Sequence, residues 1–118
     1  MTKKKHPKAE TGAMREKLHH ARYDHLPALE VNEAFAEVAE HGAKKYDVDN
    51  WRKGLPISQL AASAERHLWA FMSGEDVDKD SGLPHVSHFL WNACAMAYFH
   101  RNGLMDDRFE NRKGKENG

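Results

Sequence analysis

Two groups of carboxylates flank a cationic, aromatic loop in the middle of this chain. Glu30, Glu33, Glu37 and Glu40 recur at steps of three and four, and Glu75, Asp76, Asp78 and Asp80 form a second group. Between them run Gly42-Ala43-Lys44-Lys45-Tyr46 and Asn50-Trp51-Arg52-Lys53-Gly54. Residues three or four apart share a helix face, so the glutamates make one acidic ridge, in which each like pair costs about 0.2–0.5 kcal/mol. A divalent cation relieves that repulsion. Mg²⁺ and Mn²⁺ take oxygen ligands and keep waters and substrate phosphates in their sphere. Lys44, Lys45, Arg52 and Lys53 offer charge and donors to phosphate. Trp51 and Tyr46 offer flat faces to a base, and Asn50 an amide for a base edge. The combination points to metal-assisted chemistry on a nucleotide. Each part alone has a plainer use: a solvated acidic face, a tryptophan closing the core, or lysines opposing a helix's negative end.

The histidines are a second source of chemistry. His67 follows Arg66, and His85 and His88 are three apart. Such pairs bind zinc, bridge phosphate to carboxylate, or satisfy buried polar contacts. No cysteine or further histidine accompanies them at a familiar zinc spacing.

Helices must position these groups. The apolar spacing predicts one helix over about 27–41, with Pro27 in its first turn and Gly42 as its stop. A second runs over about 58–73, from Ser58 as N-cap, burying Leu60, Ala61, Ala64, Leu68, Phe71 and Met72. A third spans about 84–101, burying Val86, Phe89, Leu90, Ala93, Ala97 and Tyr98. A short fourth helix fits around 13–22, and no alternating strand pattern occurs. If the second helix packs antiparallel to the first, Glu75 and Asp78 come to lie near Glu30 and Glu33.

The fold class is therefore all-α, a small bundle of three main helices. Trp91, Met96 and Phe99 widen the third helix's apolar face beyond what two partner helices cover. That favours a homo-oligomer, dimer or tetramer, burying these residues between subunits. The alternative is a small monomer with some exposed apolar side chains. The domain is placed at 14–104, with flexible charged tails at 1–13 and 105–118.

Charge and composition narrow the class. Eighteen Lys and Arg balance eighteen Asp and Glu, so nothing draws the chain in bulk to nucleic acid or an acidic membrane. The single Cys94 excludes an internal disulfide framework and fits a reducing compartment. Lys3, Lys4 and Lys5 precede no apolar signal segment, and no apolar run is long enough to span a bilayer. The expectation is a soluble protein of the cytoplasm, the host's if the chain is phage-encoded.

The ordered string Gly42-Ala43-Lys44-Lys45-Tyr46, Asn50-Trp51-Arg52-Lys53-Gly54, Arg66-His67-Leu68, Gly74-Glu75 through Asp78, and Ser81-Gly82-Leu83 with His85 and His88 resembles a known family. It is similar to the phage and bacterial dATP/dGTP diphosphohydrolases, MazG-like all-α enzymes that include the MazZ type. The resemblance covers roughly 24–101. It implies a helical, oligomeric enzyme that cuts purine (deoxy)nucleoside triphosphates between the α- and β-phosphates, with Mg²⁺ or Mn²⁺ as cofactor. The superfamily's acidic motifs are E-x-x-E and E-x-x-D. Glu75 and Asp78 match the second; Glu30/Glu33 and Glu37/Glu40 both fit the first, and Glu33 and Glu37 share its face. The gap between the motifs is longer here than is usual, and Asp47 stands where a glycine is expected.

The resemblance thus implies Glu33, Glu37, Glu40, Glu75 and Asp78 as metal ligands, with Glu33 and Glu37 also catalytic through the attacking water. It implies Lys44, Lys45, Tyr46, Asn50, Trp51, Arg52, Lys53, Arg66, His67, His85 and His88 at the substrate. The rival readings are a non-enzymatic helical interaction module and a metallophosphohydrolase built on His67, His85 and His88.

Overall fold

A computed structural model describes residues 11–12 and 21–109 of the 118-residue chain. Most of the short helix expected around 13–22 lies outside the described residues. The chain forms α1 (Ala28–Lys45), α2 (Ile57–Met72) and α3 (His85–Arg101), with short 3₁₀ turns at Tyr23–His25 and Asn50–Lys53. No β-strand occurs among the described residues, only an isolated antiparallel bridge between Val77 and Pro84.

The seam between α2 and α3 organises the fold. On α2 the buried positions are Ile57, Leu60, Ala64 and His67, at steps of three and four. On α3, His85, Asn92, Ala95 and Phe99 are buried, with His88 between them nearly so. Ile57 and Leu60 cluster with Ala95 and Phe99, whereas His67 meets His85 and His88. The helices are therefore antiparallel, and the seam is apolar at one end and imidazole-lined at the other. Ala64 and Ala95 have small side chains that let the backbones approach. Phe99, at 1 % exposure, is the largest fully buried side chain among the described residues; its burial contributes about 1.5–3 kcal/mol.

The buried stripes differ from those expected. Leu68, Phe71, Met72, Val86 and Ala97 are exposed, and the inward face of α3 is polar over its first half. Phe99 is core within one chain, so it is not available to a subunit interface.

Packing of α1 also departs from expectation. It lies against α3, not α2. Phe35 stacks on Trp91 at 6.2 Å between ring centroids. Trp51, from the 3₁₀ turn, sets its ring at steep angles to those of Phe35, Trp91, Tyr98 and Phe99. Such edge-on arrangements suit the aromatic quadrupole. α1 runs on through Gly42 to Lys45 rather than stopping at Gly42. Ala43, Lys44 and Lys45 are good helix formers, and the two lysines oppose the negative end of the helix dipole.

Both ends of the α1–α2 connection are pinned. Gly54 has φ +123°, and a Cβ there would meet Met105 Sδ at 2.9 Å, so glycine is required. Pro56, not Ser58, is the N-cap of α2. Free N–H groups of its first turn are met from beyond α3: Ile57 N–H donates to Met105 O and Ser58 N–H to Asp107 Oδ1, both at 2.9 Å. Residues 105–107, placed by composition in a charged tail, are thus tied to the bundle.

Candidate functional site

The loop between α2 and α3 is held as a closed turn. Asp78 N–H donates to Leu83 O at 2.8 Å, Gly82 N–H to Asp78 O at 2.8 Å, and His85 N–H to Asp76 O at 2.9 Å. Gly82, at φ +74°, makes the left-handed step this turn needs. These bonds fix Asp78 and His85 against the C-terminal half of α2, which brings His67.

At that junction the His67 and His85 Nδ1 atoms are 2.9 Å apart. The His67 ring lies parallel to that of His88, centroids 4.4 Å apart. His67, His85 and Asp78 each offer a ligand atom, all within 4.8 Å of one another. Asp78 Oδ2 accepts from Ser81 N–H at 3.1 Å and from Ser81 Oγ at 2.7 Å, and Ser81 Oγ also pairs with His88 Nε2 at 2.7 Å. Glu75 Oε2 lies 3.3 Å from the buried His85 Nε2, without the alignment of a hydrogen bond.

The electrostatics follow from burial. Desolvation pushes the His67 imidazole down from 6.5 to about 4, helped by His88, Arg66 and His85 and opposed by Asp78. Burial also lowers His88, with Asp78 pulling the other way. For Asp78, burial raises the carboxyl, but the Ser81 hydrogen bonds, with His88 and His67, hold it below its ordinary value. At neutral pH the cluster therefore presents neutral His67 and His88 rings beside an ionised carboxylate, the protonation states a metal ligand requires.

A cavity of about 360 Å³ opens beside the cluster, between the C-terminal half of α1, the 3₁₀ turn and α3. His88 belongs to both. Lys45, Tyr46, Asn50 and Trp51, expected at the substrate, line the cavity. Lys44, Arg52, Lys53 and Arg66 do not. Arg52 lies over the Trp51 and Tyr98 rings and pairs with Asp49, while Lys53 pairs with Asp47. His67 and His85 sit in the cluster itself.

The two acidic groups part company. Because α1 runs antiparallel to α3, its C-terminal half reaches the cluster end, and Glu30 and Glu33 point to the opposite end. Glu33, Glu37 and Glu40 are exposed and belong to no ligand cluster among the described residues. Glu37 does lie one turn before His41, a cavity residue, on the same helix face.

Several lining residues escaped sequence reasoning. His41, Ser63, Trp91 and Asn92 all face the cavity. Asn92 Nδ2 donates to Ser63 Oγ at 3.2 Å and to His88 O at 2.9 Å. Trp91 Nε1 is buried with no hydrogen-bond partner among the described residues. The signal was present: His85, His88 and Asn92 fall at steps of three and four, a polar stripe through an otherwise apolar helix.

The described residues thus form an all-α bundle with a histidine–carboxylate cluster beside an aromatic-lined cavity. The chain belongs to the family described as dATP/dGTP diphosphohydrolase, N-terminal, whose model matches residues 9–108. No curated protein and no solved structure matches it. No helix among the described residues is long and apolar enough to cross a membrane.

Proposed function

We propose that the chain hydrolyses purine (deoxy)nucleoside triphosphates, dGTP and dATP, to the monophosphate and pyrophosphate with a divalent cation, Mg²⁺ or Mn²⁺ being the family expectation. The observation that carries this reading is His88, which lines the cavity of about 360 Å³ and stacks on His67 of the adjoining cluster of His67, Asp78 and His85, able to hold a cation. Asp78, His67 and His85 would hold the ion, with Glu75 beside them. The buried, unsatisfied His85 Nε2 and the ionised Asp78 fit an ion better than an inert core. A divalent cation bound there would neutralise charge on the phosphates and polarise the phosphorus under attack.

The chain's own groups have the remaining roles. Trp51 and Tyr46 offer faces to the base, and the unpaired Trp91 Nε1–H offers a donor to a purine acceptor atom. Asn50 offers its amide to the base edge. Lys45 meets the phosphate chain at the cavity wall. His88, neutral at physiological pH, is placed to take a proton from the attacking water. The water oxygen bonds to the α-phosphorus, the bridging oxygen leaves with pyrophosphate, and the proton passes through His88 to solvent. The exposed ridge of Glu33, Glu37 and Glu40 keeps its assigned role as ligand and water-orienting group on the family's acidic motif and on the place of Glu37 one turn before His41. Of the rival readings, the histidine cluster favours one in which imidazoles share the metal with carboxylates.

Assembly into a homo-oligomer belongs to the same proposal. Leu68, Trp69, Phe71 and Met72 leave an exposed apolar face on α2, with Trp69 69 % exposed, that a second copy would cover. The substrate class puts the expected workplace in the cytoplasm. A panel of (d)NTPs, each with Mg²⁺, Mn²⁺ or Co²⁺, tests the activity by reading pyrophosphate against orthophosphate. Pyrophosphate from dGTP and dATP is expected. Orthophosphate at full yield without added pyrophosphatase, or no turnover of any purine nucleotide, refutes it.

A further inference from the structure

The His67–Asp78–His85 cluster does not have the donor set of a Mg²⁺ site. Mg²⁺ demands oxygen ligands and gives up its waters reluctantly. Imidazole nitrogen suits later first-row divalent ions, whose affinity rises toward Zn²⁺ and Cu²⁺. Two imidazole nitrogens on one ion, each at about 2.0–2.1 Å, stand roughly 2.9–3.4 Å apart for bond angles between a right angle and a tetrahedron. The two Nδ1 atoms here are 2.9 Å apart.

A plain hydrogen bond between the rings would also give that distance, but it leaves open which nitrogen of His85 carries the proton. If His85 Nδ1 accepts the proton, Nε2 is a buried donor; if Nδ1 donates, Nε2 is a buried acceptor. His85 is only 5 % exposed, and among the described residues its Nε2 has no aligned hydrogen-bond partner, Glu75 Oε2 lying beside it at 3.3 Å. With an ion on Nδ1, the proton must sit on Nε2, and Glu75 Oε2, already 3.3 Å away, is its acceptor. That completes the carboxylate–histidine–metal chain in which outer carboxylates orient ligating imidazoles. Ser81 does the same for Asp78, holding Oδ2 with two hydrogen bonds.

We propose that His67, Asp78 and His85 form a two-imidazole, one-carboxylate site that selects an ion of the Co²⁺ or Zn²⁺ type over Mg²⁺, with Glu75 and Ser81 as its orienting partners. The inference takes from the proposed activity only that an ion belongs in this cluster. Its measurement is binding, not turnover.

Chelator-stripped full-length protein is titrated with Co²⁺, following the visible ligand-field bands, and with Zn²⁺ and Mg²⁺ by calorimetry. One Co²⁺ or Zn²⁺ per chain is expected, at least about a hundredfold tighter than Mg²⁺. His67→Ala and His85→Ala should each abolish the bands, whereas His100→Ala, at the far end of α3, should leave them. Asp78→Asn, near-isosteric with the native side chain, should weaken binding with the helices intact by circular dichroism, so unfolding of a histidine variant does not hide the answer. Glu75→Gln should weaken binding by about ten- to a hundredfold, as loss of an outer-sphere partner does. Equal affinity for Mg²⁺ and Co²⁺, or bands that survive both histidine substitutions, overturns the site. Tight Co²⁺ without dNTP turnover upholds this site and sinks the proposed activity. Turnover with Mg²⁺ alone in a protein that ignores Co²⁺ does the reverse.

Discussion

Acidification should loosen the fold through His67. The ring is 7 % exposed and is held at about 4, against 6.5 for the same group in the unfolded chain. Above about 6.5 both states carry it neutral and its contribution to stability is complete. Between there and about 4 only the unfolded state takes up the proton, so stability falls as pH falls; below about 4 the folded state accepts it too and the loss levels off. At pH about 5 the unfolded group is almost wholly protonated and the folded one about a tenth, which gives a loss of about 2 kcal/mol relative to pH about 7.5. That is a large share of the roughly 5–15 kcal/mol expected of a domain. His88, lowered for the same reason, acts in the same direction. Urea unfolding of chelator-treated protein at the two pH values measures the loss as a fall in midpoint of more than about 1 M. His67→Gln cannot titrate, so its stability should fall by about 2 kcal/mol less over the same interval, whatever its starting value. Parallel declines of wild type and variant would show that the buried imidazole is not the source.

Three further outcomes are expected. Asp78→Asn, which removes the carboxylate of the cluster, and Glu37→Gln, which removes a proposed ligand and water-orienting group, should each lower turnover about a hundredfold or more, both read by pyrophosphate release under saturating substrate. Trp91→Phe keeps most of the ring but deletes the indole donor; KM for purine triphosphates should rise by about tenfold, the worth of one hydrogen bond, with kcat nearly unchanged. Light scattering on an eluting sample should give a mass of at least two chains, and Trp69→Glu with Met72→Glu should reduce it to the 13.5 kDa monomer.

The three helices could be read from the chain because their apolar residues recur at helical steps over more than four turns. What failed was the choice of face. On α3 apolar residues lie nearly all round, so periodicity does not say which side is inward. The decision comes from the partner surface, and α2 presents Ser63 and His67 there, which draws in His85, His88 and Asn92. Val86 and Ala97 are left outside as a result. The chemistry-bearing residues Asp78, Glu75, His67, His85 and His88 were recognisable by type. Their grouping was not, because it depends on the α2–α3 pairing and on the closed 76–85 turn between them; that the α1 glutamates stay apart from it follows from α1 packing on α3, where the Phe35, Trp51 and Trp91 rings meet. Gly42 was a reasonable stop signal, outweighed by the alanine and lysines beyond it. The attachment of Met105 and Asp107 to the start of α2 has no local signature at all.

That attachment bears on how the protein comes to be folded. The first turn of α2 borrows its acceptors from Met105 and Asp107, so it is incomplete until the chain beyond α3 has been made. On the ribosome, α2 emerges with those donors facing water, and α3 must complete its length and turn back before they are met. The segment from Ile57 to Asp107 therefore closes as one ring, its ends joined at the apolar end of the seam and its imidazoles at the opposite end. The loop that carries Asp78 thus lies at one end of this ring and the contacts of Met105 and Asp107 at the other. A nascent chain that stops short of Asp107 would carry His67, Asp78, His85 and His88 and still lack that closure.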